Sequence, residues 1–152
     1  LPCGNVLRAR LAVDHRGELT LTHAPLPPAA ALWRVTMSKR RLVATDPWLT
    51  IKSSHRPVYD AARAELPPGI DEALLLNTDG ALCEGTITTV FLEREGLLLT
   101  PPQRCGLLPG VLRADLLRSG RAIEHSLTVD DLRQGPFFVG NALRGLIPAT
   151  LA

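Results

Sequence analysis

The chain has 152 residues, a formal net charge of +2 and 45% hydrophobic content, so it can bury a core and lacks the composition of a disordered chain. No apolar run approaches the roughly eighteen residues of a membrane span. The small basic excess gives no argument for nucleic acid.

In chain order, the opening Leu1-Pro2-Cys3-Gly4, with the only Met at Met37, predicts a processed or partial product without a secretory leader. Val6 to Val13, the turn signal Asp14-His15-Arg16-Gly17 and the alternation of Leu19 and Leu21 with Thr20 and Thr22 predict a β-hairpin. Pro25, Pro27 and Pro28 interrupt it, and a strand is expected over Leu32 to Thr36. Val43 to Leu49, with Asp46-Pro47, reads as a linker between two units, 1–46 and 47–152. Beyond it, Val58 to Leu66 has helical composition and stops at Pro67-Pro68-Gly69. Glu72 to Asn77 reads as a buried strand that turns at Thr78-Asp79-Gly80 into Ala81 to Glu84. Thr86 to Glu93 and Leu97 to Thr100 are expected strands about a turn at Glu95-Gly96. Gly110 precedes a helix over Val111 to Arg118, closed by Gly120, and Arg121 to Ser126 reads as a strand. Thr128 with Asp131 is a helix-start pattern, and Pro136 to Val139 is the last strand expected. Many strands and few helices in mixed order indicate an α+β fold.

Several chemistries are absent. Cys3, Cys83 and Cys105 are widely spaced with no CxxC pair, which predicts reduced thiols, a cytoplasmic location and no zinc knuckle. His15, His23, His55 and His125 show no metal-ligand spacing, and no metal site is expected. Neither a GxSxG elbow nor a Walker loop occurs.

The basic residues carry a different signal. Of 17, fifteen are Arg, and only Lys39 and Lys52 are Lys. Lys39, beside Arg40 and Arg41, reads as a surface charge that Arg could replace. Lys52 stands apart, because a Schiff base needs an amine that can lose its proton, which a guanidinium cannot do. Two further segments suit the remaining parts of a pyridoxal 5'-phosphate (PLP) site. Glu84, on a strand before Gly85, could pair with a protonated pyridine nitrogen. Gly110, Val111 and Leu112, opening a helix, could offer backbone N–H groups to a phosphate. Singly, each has a plain structural reading: a surface Lys, a solvated Glu, a turn Gly.

As an ordered set, Lys52, Glu84-Gly85-Thr86-Ile87-Thr88-Thr89-Val90-Phe91 and Leu108-Pro109-Gly110-Val111-Leu112-Arg113 resemble the class IV, or fold-type IV, PLP enzymes. These include branched-chain and D-amino-acid aminotransferases and 4-amino-4-deoxychorismate lyases. The resemblance covers about Ile51 to Pro148. It implies a strand-rich, pseudo-barrel C-terminal domain flanked by helices, with residues 1–46 the remnant of a small N-terminal α/β domain. By the same resemblance Lys52 is the Schiff-base lysine, Glu84 the ring-nitrogen partner, and the backbone at Val111 and Leu112 the phosphate anchor. Arg56 matches the Lys-x-x-x-Arg spacing of the lyase branch and would orient the cofactor, an ion pair being the equal alternative.

Thr89 stands where the family usually has an Asn of structural role. Two other departures favour the lyase branch: Leu112 stands where the transaminases carry Thr, and Asn141, in Asn141-Ala142-Leu143, where they carry another phosphate-contacting Thr. The phosphate-binding Arg motif of the family's N-terminal domain is missing. The expected function is a lyase giving 4-aminobenzoate and pyruvate in folate biosynthesis. A class IV aminotransferase and an inactive domain of a larger protein are the alternatives. A small-molecule amine substrate and a homodimer are expected, with no nucleic acid or membrane partner.

Overall fold

In the computed structural model, residues 6–29 and 31–152 are described, and the chain divides into two compact units, 1–30 and 31–152. In the first unit, β1 (Leu7–Val13) pairs antiparallel with β2 (Leu19–Pro25), with Leu11 opposite Leu21. Asp14 Oδ1 closes the turn by accepting from the N–H groups of Arg16 and Glu18, at 2.8 and 2.9 Å. Gly17, at φ 81°, supplies the left-handed residue the turn needs. This is the hairpin that the alternation predicts. Cys3 lies outside the described residues.

The second unit is built on an eight-stranded sheet in the order β5-β4-β3-β10-β9-β6-β7-β8. The strands are β3 (Trp33–Leu42), β4 (Glu72–Asn77), β5 (Leu82–Gly85), β6 (Thr89–Arg94), β7 (Leu97–Thr100), β8 (Ala122–Glu124), β9 (Phe137–Asn141) and β10 (Gly145–Leu151). The pairs β3–β4, β3–β10 and β7–β8 are parallel and the others antiparallel. Three short helices complete the mixed α+β architecture: α1 (Pro57–Ala64), α2 (Val111–Arg118) and α3 (Asp131–Gln134).

Two apolar clusters lie beside the helices. Leu42, Leu49, Tyr59, Ala62, Leu75, Cys83 and Cys105 pack together beside α1. Phe91, Leu98, Leu116 and Ala122 pack beneath α2. The buried runs in β4 and β6 read as nearly continuous apolar strings because both faces of these strands are covered.

Four local expectations change. The strand expected over Leu32 to Thr36 continues to Leu42, since β4 pairs with it as far as that residue. That strand lies in the larger unit, as does the segment read as a linker, where Pro47–Thr50 form a 3-10 turn capped by Asp46. The strand expected from Thr86 begins at Thr89, because residues 86–88 are drawn into a turn by a buried carboxylate. The strand ending near Val139 is followed by another, β10. The Thr128–Asp131 start is present: Asp131 Oδ2 accepts from Thr128 N and Oγ1 at 2.8 and 2.7 Å, and Thr128 Oγ1 accepts from Asp131 N.

Candidate active site

Lys52 sits between the 3-10 turn and α1. It is exposed, lines a cavity with Arg41, Trp48, Tyr59 and Leu108, and forms no ion pair among the described residues. The Trp48 and His55 rings meet at the same cavity in a tilted arrangement, 4.8 Å between centroids. Pro57 at the first position of α1 suits a helix start and stops helix from propagating back into the Lys52 segment. Arg56 fastens this segment to the sheet. Its Nε donates to Asp60 Oδ1 at 3.0 Å, its Nη2 donates to the Thr86 carbonyl at 2.6 Å, and its guanidinium lies 5.1 Å from the Tyr59 ring centre.

Glu84 occupies β5 and is 5% exposed. Its Oε1 accepts from the Tyr59 hydroxyl at 2.5 Å and from the Leu108 N–H at 3.0 Å. Among the described residues, nothing donates to Oε2. Burial pushes the Glu84 carboxyl up to about 7, against the opposing pull of the Tyr59 and Leu108 donors and of Arg56. The Tyr59 phenol is driven far above its ordinary range, by burial first and by the Glu84 charge next, so it remains a donor.

The turn after Glu84 is held from below by Glu72, which is fully buried in β4. Glu72 accepts from the N–H groups of Ala73, Thr86 and Ile87 and from the hydroxyls of Thr86 and Thr88. Arg63 Nη1 stands 3.5 Å from Glu72 Oε1 and donates to Thr86 Oγ1 at 2.9 Å. A Cβ on Gly85 would stand 2.8 Å from Glu72 Oε2, so a residue without a side chain is required where the turn crosses the carboxylate. The Glu-Gly pairing in the sequence therefore has two separate causes: one residue faces the site, and the other makes room for the carboxylate that braces it.

The third part is the start of α2. Gly110 occupies the N-cap position with no side-chain cap, and the N–H groups of Val111 and Leu112 have no partner among the described residues. Leu108 links this start to Glu84 through Pro109 and Gly110. Asn141, at the end of β9, donates from Nδ2 to the Ile87 carbonyl at 3.1 Å. Its Oδ1 accepts from the N–H groups of Leu143 and Arg144, which shapes the β9–β10 turn. A Cβ on Gly140 would stand 2.9 Å from Leu112 Cδ2, so Gly140 is where α2 rests on β9.

The structure thus brings Lys52, Arg56 and Glu84 together through Tyr59 and Leu108. Asn141 bonds to the turn at 86–88, while at the start of α2 Gly110 lies beside Thr89 and Leu112 against Gly140. Two residues of the arrangement were not singled out from sequence. Tyr59, the only Tyr of the chain, lies three residues past Arg56 on α1 and could have been found by that helical spacing. Glu72, a lone charge opening an otherwise apolar strand, carried the signal of a buried carboxylate in need of donors.

The arrangement offers an exposed amine, a buried carboxylate with one free oxygen, and an uncapped helix start. No group of three or more metal-ligating side chains occurs among the described residues, and no described helix is long and apolar enough to cross a membrane.

Comparison with known proteins gives consistent results. The sequence profile described as amino-transferase class IV matches residues 4–152. A Mesorhizobium loti crystal structure named as an amino-acid aminotransferase is 46% identical, with a TM-score of 0.92 over 96% of this chain and 73% of that one. A Thermotoga maritima protein named as a branched-chain-amino-acid aminotransferase is 31% identical over 113 residues, 71% of this chain and 40% of its own length. A Schizosaccharomyces pombe protein named as an aminodeoxychorismate lyase is 27% identical over 139 residues, 86% of this chain and 60% of its own length. The chain therefore spans only about half the length of these two curated relatives.

Proposed function

On the premise that the chain belongs to the class IV aminotransferase family, we propose that it serves PLP-dependent chemistry at the amine-bearing carbon of a small-molecule amine. In this reading Lys52 is the reacting amine and Glu84 the partner of the cofactor's ring nitrogen. The observation that carries it is the Glu84 carboxylate, buried, held at Oε1 by two donors and left open at Oε2. A ring N–H is the kind of donor that Oε2 lacks, and the uncapped start of α2 suits a phosphate, so the residues present fit PLP. When bound, PLP supplies an electron sink for bond breaking beside the substrate nitrogen.

The chain's own residues would divide the remaining work. The exposed Lys52 amine, which forms no ion pair among the described residues, would take the proton from the amine-bearing carbon. Tyr59 and Leu108 hold Glu84 in place, so that its free oxygen meets the ring without reorganising. Arg56 keeps the Lys52 segment docked on the turn that Glu72 braces.

The finer reading is a 4-amino-4-deoxychorismate lyase, giving 4-aminobenzoate and pyruvate for folate biosynthesis, with a homodimer in the cytoplasm as the working form. Leu112 without a hydroxyl and Asn141 in its capping role support it. A class IV aminotransferase acting on branched-chain or D-amino acids is the second reading. The 46% identity to the Mesorhizobium protein favours it.

The test mixes the purified protein with PLP and aminodeoxychorismate, and separately with amino donors alone. Release of 4-aminobenzoate supports the lyase, and conversion of PLP to its amine form supports transfer. Lys52→Ala is expected to abolish either turnover. Turnover unchanged in that variant, or a wild-type chain that takes up no PLP, overturns the proposal; the latter favours the inactive-domain alternative.

A further inference from the structure

Thr89 opens β6 and is 6% exposed. The hydroxyls of Thr86, Thr88 and Thr100 are all hydrogen-bonded, but among the described residues that of Thr89 has no partner. The one fully sealed side-chain polar atom without a partner among the described residues is Arg113 Nε, so the Thr89 hydroxyl opens onto accessible space. A polar group so nearly buried costs stability unless something bonds to it.

Its direction follows from the register. Thr89 is the partner of Gly140 across β6 and β9, and directly paired residues point to the same face of a sheet. That face is the one α2 covers, since Leu112 lies against Gly140. A Cβ built on Gly110 would stand 3.8 Å from Thr89 Oγ1. The hydroxyl therefore stands at the foot of α2, beside the first turn of an eight-residue helix with no side-chain cap. Helix starts attract anions because their N–H groups are unpaired and carry the positive end of the helix dipole.

The geometry points to Thr89 as the side-chain donor of an anion site at the start of α2, taking the phosphate of PLP together with the N–H groups of Val111 and Leu112. This rests on the PLP reading above. These three donors are neutral, so their share of the binding is hydrogen bonding and helix dipole.

The experiment titrates PLP and phosphate-free pyridoxal separately into the wild-type chain and into Thr89→Val and Thr89→Ser, following bound-cofactor absorbance, with circular dichroism to verify folding. A hydrogen bond to a charged group is worth about tenfold to a hundredfold in affinity. Thr89→Val is expected to weaken PLP by that factor and leave pyridoxal unchanged, while Thr89→Ser retains PLP binding. If the valine variant does not fold, Thr89→Ala gives the same contrast. Equal weakening of both ligands, or no weakening of PLP, overturns the assignment while leaving the PLP reading intact. A wild-type chain that binds neither ligand overturns that reading and the assignment with it.

Discussion

The segment carrying Lys52 and the turn following Glu84 are opposites in construction. Lys52 lies exposed between a 3-10 turn and α1, and the described residues give it no ion pair. Glu84, Gly85 and Thr86 are buried, and their turn donates to the Glu72 carboxylate and accepts from the Arg56 and Arg63 guanidinium groups. Under the proposed reading the two groups divide the work: the amine that would change partners stands exposed, while the carboxylate that would hold one geometry is fixed by packing and hydrogen bonds.

The strongest way to break this contrast is to remove the brace. Glu72→Ala leaves at least four buried or half-buried donors without their acceptor. It is expected to cost about 3–5 kcal/mol of stability, read from urea unfolding midpoints. A loss below about 1 kcal/mol would mean that the turn is not held by this carboxylate.

A smaller effect should come from pH. The folded Glu84 carboxyl titrates near 7, above its ordinary 4.5, so the folded chain binds that proton more tightly than the unfolded chain does. The stabilisation is fully present below about 4.5 and is lost as pH rises through about 7. Unfolding midpoints of the cofactor-free chain should fall across that window, and Glu84→Gln should flatten the fall. An equal slope in the variant would show that another group sets it.

The smallest effect sharpens the comparison from the other side. Lys52→Ala, which is expected to abolish turnover, should leave stability within about 0.5 kcal/mol of wild type, as for a surface substitution. A large loss in the melting curve would give Lys52 a structural role and weaken the contrast.

Much of the fold was legible wherever the signal was local. Asp14 to Gly17 announces the hairpin turn, Thr128 with Asp131 announces a helix start, and Gly110 to Arg118 marks α2 within a residue. The errors occur where a distant residue decides. Thr86-Ile87-Thr88 is β-branched and reads as strand, but Glu72 captures its N–H and hydroxyl groups and bends it into a turn. The strand β10, beyond the last one expected, carries Pro148, a residue that disfavours a strand interior. Pro148 is tolerated there because β10 meets β3 only at 149–151, so the missing N–H removes no bond to that side.

The site divides in the same way. The Lys52, Glu84 and Gly110 segments stand out in the sequence because each residue type has a chemical property that no substitute shares: a titratable amine, a carboxylate, a backbone without a side chain. The braces of the site belong to the tertiary structure. Tyr59 is an ordinary aromatic on an amphipathic helix until α1 packs on the sheet and brings its hydroxyl to Glu84, 25 positions away in the chain. Glu72 is one charge in an apolar strand until β4 and β5 pair and the turn folds over it. Local chemistry thus determined which residues could react. Only the fold decided which of their oxygens and N–H groups are satisfied and which stay open, because a hydrogen-bond partner is set by proximity in space and not by spacing in sequence.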